Sequence, residues 1–327
     1  MKRPLAPVVL ILILLNLLVA LVTIGVGEYH IPFIDVIKSL LGSGEKNHNF
    51  VIHTLRLPRT LVAFLVGVGL AVSGTILQAL TRNPLASPGV IGLNSGAGLG
   101  AVIVIILFPT VTIFIVPFAA FTGALLFGLI VYLLAWKEGS SPLRLVLIGI
   151  GISAIGQALI LLLQTHGKIH LVTKATIWLV GSVYARGWEH VWSLLPAILI
   201  LFFLTLALVR HLNVFQLGDD IARGLGTKIE WQRGVLLLIS IAFAGFCVAA
   251  AGVIAFVGLM APHIARRLVG SSHGILVIVA ALVGGLLVML SDLIGRTLFA
   301  PIEIPCGIVT AIIGSPYLMY LLIRESR

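Results

Sequence analysis

Acidic residues are scarce in this chain, 11 Asp and Glu among 327 positions, and charged residues of both signs reach only 10%. So few charges cannot solvate the outside of a soluble protein that is 60% hydrophobic; globular domains carry about 25% charged residues. Cysteine is nearly absent. Cys247 and Cys306 lie in or beside apolar runs and read as small buried hydrophobes, not as a disulfide or metal pair. No G-x-x-x-x-G-K-[ST] occurs: Gly167-Lys168 is followed by Ile169, and Gly44-Glu45-Lys46 has the wrong order. The chain therefore has no P-loop with which to hydrolyse ATP. Gly149-Ile150-Gly151 with Ala154 imitates a dinucleotide fingerprint but sits inside an apolar run, without the strand and helix that motif needs. His166 and His170 are four apart with no acidic or Cys ligand nearby, which favours a solvated loop over a metal site. H-E-x-x-H and a buried carboxylate pair are missing too, so the sequence offers no basis for an enzyme.

Long apolar runs fill the space. Ten are placed at 5–26, 57–80, 89–108, 112–136, 143–165, 191–209, 235–253, 256–268, 274–296 and 306–323. Most are about 20 residues long, the span of a bilayer core, and they are continuous where a β-barrel would alternate. The predicted fold is all-α: one polytopic membrane domain, residues 1–327, with no Pro/Ser-rich linker to divide it. The run after Lys2 and Arg3 lacks a small-x-small cleavage site and reads as an uncleaved first span. With the N-terminus inside, thirteen of the 21 Lys and Arg fall on the cytoplasmic side, among them Arg82, Arg144, Arg210, Arg266 and Arg267. This bias orients the chain with both termini cytoplasmic in the cell membrane. It also accounts for the net charge of +10, whose counter-charge is anionic lipid rather than nucleic acid.

Ala71-Val72-Ser73-Gly74-Thr75-Ile76 is echoed by Ala249-Ala250-Ala251-Gly252-Val253-Ile254, and each glycine precedes a proline by ten positions, at Pro84 and Pro262. A five-span repeat would have to be inverted; coincidence explains two matched glycines equally well. Gly92, Gly96 and Gly100, and then Gly149 and Ser153, make small-xxx-small steps that suit close helix packing, within one subunit or between two. Mid-membrane charge is limited to Asp292, with Arg296 one turn later on the same face, which predicts an ion pair between them. A carrier coupled to protons or sodium would show more titratable groups there. The polar stretch Leu217–Arg233, between apolar spans on the cytoplasmic side, reads as a grip for another protein. Asp219 and Asp220 favour a helix start, and Gly224 and Gly226 favour a bend between two short helices.

Several motifs in order resemble one family. They are Leu57-Pro58-Arg59-Thr60, Thr81-Arg82-Asn83-Pro84-Leu85-Ala86-Ser87-Pro88-Gly89, Gly252-Val253-Ile254-Ala255-Phe256-Val257-Gly258-Leu259, Ala261-Pro262-His263-Ile264-Ala265-Arg266, Asp292-Leu293-Ile294-Gly295-Arg296, Glu303-Ile304-Pro305-Cys306-Gly307 and Gly314-Ser315-Pro316. Together they resemble the FecCD permeases of ABC importers, which take up ferric siderophores, haem and cobalamin. Ser272 before His273, where many relatives carry Asp, is one departure.

The resemblance implies a permease driven by two separate ATP-binding cassette subunits, which hold the ATP and Mg; this chain itself binds no cofactor or metal and has no catalytic residues. It implies a second permease copy or paralogue and an extracytoplasmic substrate-binding protein. A coupling segment at about 213–233 would engage the ATPase through Leu217, Gly218, Asp219, Asp220, Ala222, Arg223, Gly224, Leu225 and Gly226. Arg56, Arg59 and Arg296 would face carboxylates of the binding protein, against the plainer reading of interfacial anchors. The path would follow Ser153, Gln157 and Gln164 in the fifth span and Gly307, Thr310 and Gly314 in the tenth, residues that could equally be packing positions. The expected cargo is a ferric siderophore chelate, with haem or cobalamin as the alternative; from another class, a secondary carrier or channel.

Overall fold

The computed structural model describes residues 5–27, 29, 31–112, 114–135, 142–224 and 229–325. Every regular element among them is helical. The ten expected spans appear as α1 (Leu5–Gly25), α4 (Leu57–Thr81), α5 (Leu93–Leu107), α6 (Ile115–Ala135), α7 (Pro142–His166), α9 (Trp188–Ala207), α12 (Ile229–Ala251), α13 (Val257–Val269), α14 (His273–Thr297) and α15 (Cys306–Glu325). Eight of these are long and apolar enough to cross a bilayer; α5 and α13, with 15 and 13 residues, are short. Helices hide in the loops as well. Between α1 and α4 are α2 (Phe33–Leu40), α3 (Lys46–Phe50) and a π-helical turn (Val51–Arg56) running straight into α4, and α8 (Ile169–Val180) follows α7. Between α9 and α12 are α10 (Val209–Gln216) and α11 (Asp219–Gly224).

The core is the crossing of α4 with α12 and α14. Lipid tails are as apolar as leucine, so helices in a membrane associate through close packing rather than a hydrophobic drive. Glycine permits it: a Cβ on Gly67 would run into the Gly284 carbonyl, and one on Gly284 into the Gly67 carbonyl. Gly96, Gly100 and Gly123 do the same between α5 and α6. The small-residue stripe read from the sequence is therefore packing within the subunit.

The two halves, α1 to α7 and α9 to α15, pack alike. The pairing of α5 with α6 is matched by α13 with α14, that of α4 with α14 by α12 with α6, and that of α6 with α7 by α14 with α15. Each short helix follows a left-handed residue, Gly92 (φ 88°) before α5 and Phe256 (φ 67°) before α13. Each of those residues packs on a small residue of its half's fifth span: Gly92 on Gly149 and Ser153, Phe256 on Gly314. Ser73 and Ser240 sit where the halves meet, each hydroxyl donating to the other's carbonyl, at 2.8 and 3.1 Å. An inverted five-helix repeat accounts for all of this. The sequence echo that suggested a repeat does not belong to it. Gly74 lies inside α4 whereas Gly252 (φ 72°) follows the end of α12, and Pro84 lies in a turn whereas Pro262 lies inside α13.

Candidate functional site

At one end of the spans, α10 and α11 form the expected pair of short helices, displaced toward the N-terminus. Helix α10 begins at Val209, and Gly218 (φ 100°) separates it from α11, because only a glycine takes that backbone angle without strain; α11 in turn ends at Gly224. Asp219 does open a helix, with Asp220 behind it, and Ala222, Arg223 and Gly224 complete it. Leu225 and Gly226 lie outside the described residues. Arg233, expected in the polar island, belongs to α12 and is buried.

One carboxylate fixes this pair to the core. Asp219 Oδ1 accepts from Arg233 Nη2 at 2.9 Å and lies 3.4 Å from Arg82 Nη2, in the turn after α4. The Arg233 guanidinium also stands 5.3 Å over the ring of Phe215 in α10. Four elements thus meet at Asp219, while Ala222 is buried in the main core. Leu217 and Ile221, four apart, are each 55% exposed. Two apolar side chains on a polar face, held by an ion pair, form a small rigid knob.

The opposite end is organised around Arg59. Arg59 at the start of α4 grips both oxygens of Asp292 in α14, with Nε at 3.0 and 3.2 Å and Nη2 at 2.7 Å, and reaches Glu303 at 3.0–3.2 Å. Its guanidinium lies 5.7 Å from the Tyr184 ring. Asp292 is thus paired with Arg59 and not with Arg296. Arg296 instead donates to the Thr23 carbonyl, and Arg56 donates to the carbonyls of Ile24, Gly25 and Tyr29. Both arginines are buried and satisfy the carbonyls that the end of α1 leaves over. In this chain Arg56 and Arg296 are thus engaged with the end of α1, and Arg59 with Asp292 and Glu303. Nearby, burial holds the Arg186 guanidinium below its ordinary pKa against the pull of Glu189, and its Nη1 donates to His190 Nε2 at 3.1 Å.

The six path residues divide. Gln157 is exposed on α7 and donates weakly to Ser95 (3.4 Å), while half-buried Gln164 donates to Thr176 at 3.2 Å. The Ser153 hydroxyl is buried against Gly92. On α15, Thr310 and Gly314 face inward, with Gly314 against the Phe256 ring and Thr310 bonded to the Gly307 carbonyl. The exposed side of α15 carries Ile308, Ile312 and Ser315. Gly307 touches the Val180 carbonyl yet borders a recess of about 610 Å³ formed by Leu179, Val180, Val253, Ala255 and α15. Residues 252–256 there are not helical. Irregular backbone at membrane depth is tolerated only where protein or a watery cavity covers it.

Residues 11–324 match the model of the FecCD transport family. This chain belongs to that family. The FecCD relatives include a Bacillus subtilis permease named for siderophore transport, YfhA, 47% identical over 97% of this chain and 94% of its own. The iron(3+)-hydroxamate import system permease FhuG of the same organism is 41% identical over 96% and 95%. The ferric enterobactin transport system permease FepG of Escherichia coli is 37% identical over 90% and 88%. A solved structure described as an inward-facing conformation of a metal-chelate type ABC transporter superposes with a TM-score of 0.89, at 32% identity over 98% of this chain and 99% of that one. Within this FecCD chain, sequence reasoning missed the inward turn of the arginines. The one sequence signal is that α1 carries no basic residue in its own last turn; that Arg56 and Arg296 come to it is set by the fold.

Proposed function

We propose that this chain is the permease of a binding-protein-dependent ABC importer that carries ferric siderophore chelates into the cytoplasm. The knob of Leu217 and Ile221 carries the reading. It is apolar, exposed and fixed to α4, α10 and α12 through Asp219, as a lever must be if a separate ATPase is to move the spans. ATP and its Mg reside on that ATPase, of which two copies would grip two permeases, identical or paralogous. With α10 and α11 cytoplasmic, both termini are cytoplasmic too, and Arg59, Tyr184 and Glu303 mark the side where a binding protein delivers cargo. The path follows the exposed sides of α7 and α15 past the recess at Val253 and Ala255, a site formed before the short third helix of one half, where broken segments favour transport sites. The relatives' names, each for a ferric chelate, supply the cargo class.

The test is copurification. Leu217→Glu and Ile221→Glu, each at an exposed position, should leave the permease folded in the membrane but strip the ATPase from it. Undiminished ATPase recovery with both charges in place would remove the coupling role from this segment.

A further inference from the structure

Helix α2, in the outer loop between α1 and α4, has three faces rather than two. Val36 and Ser39 are buried against the protein, where Val36 joins Ile24, Ile31 and Ile52 in a small cluster. Asp35 and Lys38, paired at 3.5 Å, form a second, polar stripe. Between these stripes runs a third, apolar and uncovered: Phe33, Ile37 and the capping Leu41 at four-residue steps, with Ile34 beside them. Ile34 is 67% and Leu41 78% exposed. A loop helix bathed in water on that side would have no reason to show four large apolar side chains in register.

The fold also fixes the depth of this face. Helix α1 has 21 residues, about 32 Å of rise, against a hydrocarbon core of about 30 Å. Its last turn therefore stands at the outer edge of the core. Val36 sits on that turn, its Cγ2 3.6 Å from where a Cβ on Gly25 would be. A second marker agrees. Trp188, at the start of α9, donates its indole N–H to the His53 carbonyl at 2.7 Å, and the His53 ring hydrogen-bonds the Ser39 carbonyl at the end of α2. Trp188 stacks on Trp192, which is 65% exposed. Tryptophans of this kind sit at the headgroup level of a bilayer. Helix α2 is tied to that level from both sides, and α1 beneath it bears an exposed apolar surface, including Leu14, Leu17 and Leu18.

We propose that α2 is an interfacial anchor, its Phe33, Ile34, Ile37 and Leu41 face seated in the outer leaflet at the boundary of headgroups and acyl chains, and its Asp35–Lys38 edge in water. The occupant is the lipid surface itself, continuous with the lipid-facing side of α1. Amphipathic helices of this build lie in the interface plane with the apolar face about 5–10 Å deep. The anchor fixes the outer end of α1, and through Val36 and Ile52 the start of α4, relative to the membrane plane. The inference does not depend on the cargo.

Spin labelling tests it. The native Cys247 and Cys306 are buried, so single Ile34→Cys, Ile37→Cys and Lys38→Cys variants of the full-length chain can be labelled with a nitroxide and reconstituted in phosphatidylethanolamine–phosphatidylglycerol vesicles. The accessibility ratio of oxygen to a water-soluble nickel chelate should be severalfold higher at Ile34 and Ile37 than at Lys38. Similar, nickel-dominated accessibility at all three positions would overturn the anchor. So would water exposure of Ile34 and Ile37 that disappears only when an extracytoplasmic protein is added, which would make the face a protein-docking surface instead.

Discussion

The Asp219 carboxylate lies 2.9 Å from the Arg233 guanidinium, whose side chain is only 2% exposed. A buried guanidinium needs its counter-ion, so this pair ties the short inner helix α11 to the spanning helix α12, and Arg82 extends the tie to the end of α4. Motion imposed on α11 must pass to both spans.

Asp219→Ala should therefore uncouple the transporter. Losing one partner of a fully buried pair costs about 3–5 kcal/mol, and Asp219 is 23% exposed, which places the effect at or below the lower end. The permease should assemble with its ATPase, and ATP hydrolysis should continue while uptake falls severalfold. Hydrolysis and uptake falling in equal proportion would point to lost assembly instead.

Arg59 tests the outer face. Asp292 is 6% exposed and Glu303 32%. Arg59→Ala leaves the Asp292 charge buried without this partner and should cost on the order of 3 kcal/mol in detergent thermal unfolding. Glu303→Gln removes a half-exposed partner and should cost about 1 kcal/mol or less. Arg59→Glu would place three carboxylates together and should fail to accumulate at all. A stable Arg59→Glu permease that merely loses its binding protein would show that this residue serves docking rather than stability.

Close packing predicts sharp contrasts among glycines. Gly67→Ala must push α4 from α14 and should destabilise by about 1–3 kcal/mol. Gly151→Ala meets no atom within 4 Å and should be neutral. Equal melting temperatures for the two variants would contradict the crossing described.

At the centre of the repeat, Ser73→Ala and Ser240→Ala should each cost about 1 kcal/mol, and the double variant less than the sum, since the two hydroxyls also face one another at 2.8 Å. Strict additivity in a thermal-unfolding cycle would mean that the serines do not act as a pair.

The spans were legible because bilayer thickness writes itself as run length; all ten were placed, including the short eighth, α13. The two-helix segment is legible from its polarity, but its break at Gly218 is not, since nothing in the sequence sets that glycine apart and only its positive φ does. Asp292 and Arg296 misled because i,i+4 spacing predicts a local pair, whereas Arg59, 233 positions away, supplies the better bidentate partner. Which side of α15 faces inward is set by Phe256 against Gly314 and Val180 against Gly307, and no pattern within one helix reveals that. Helix α2 is not legible in the sequence, because eight residues fall below the length at which apolar periodicity stands out.

The most direct measurement is uptake of iron-labelled siderophores in cells lacking this gene, complemented by the wild-type permease together with either an active or a hydrolysis-dead partner ATPase. The account predicts that uptake of at least one ferric chelate is lost on deletion, returns with the wild-type pair and fails with the dead ATPase. Chelate uptake unchanged by deletion, or restored without ATP hydrolysis, would contradict it.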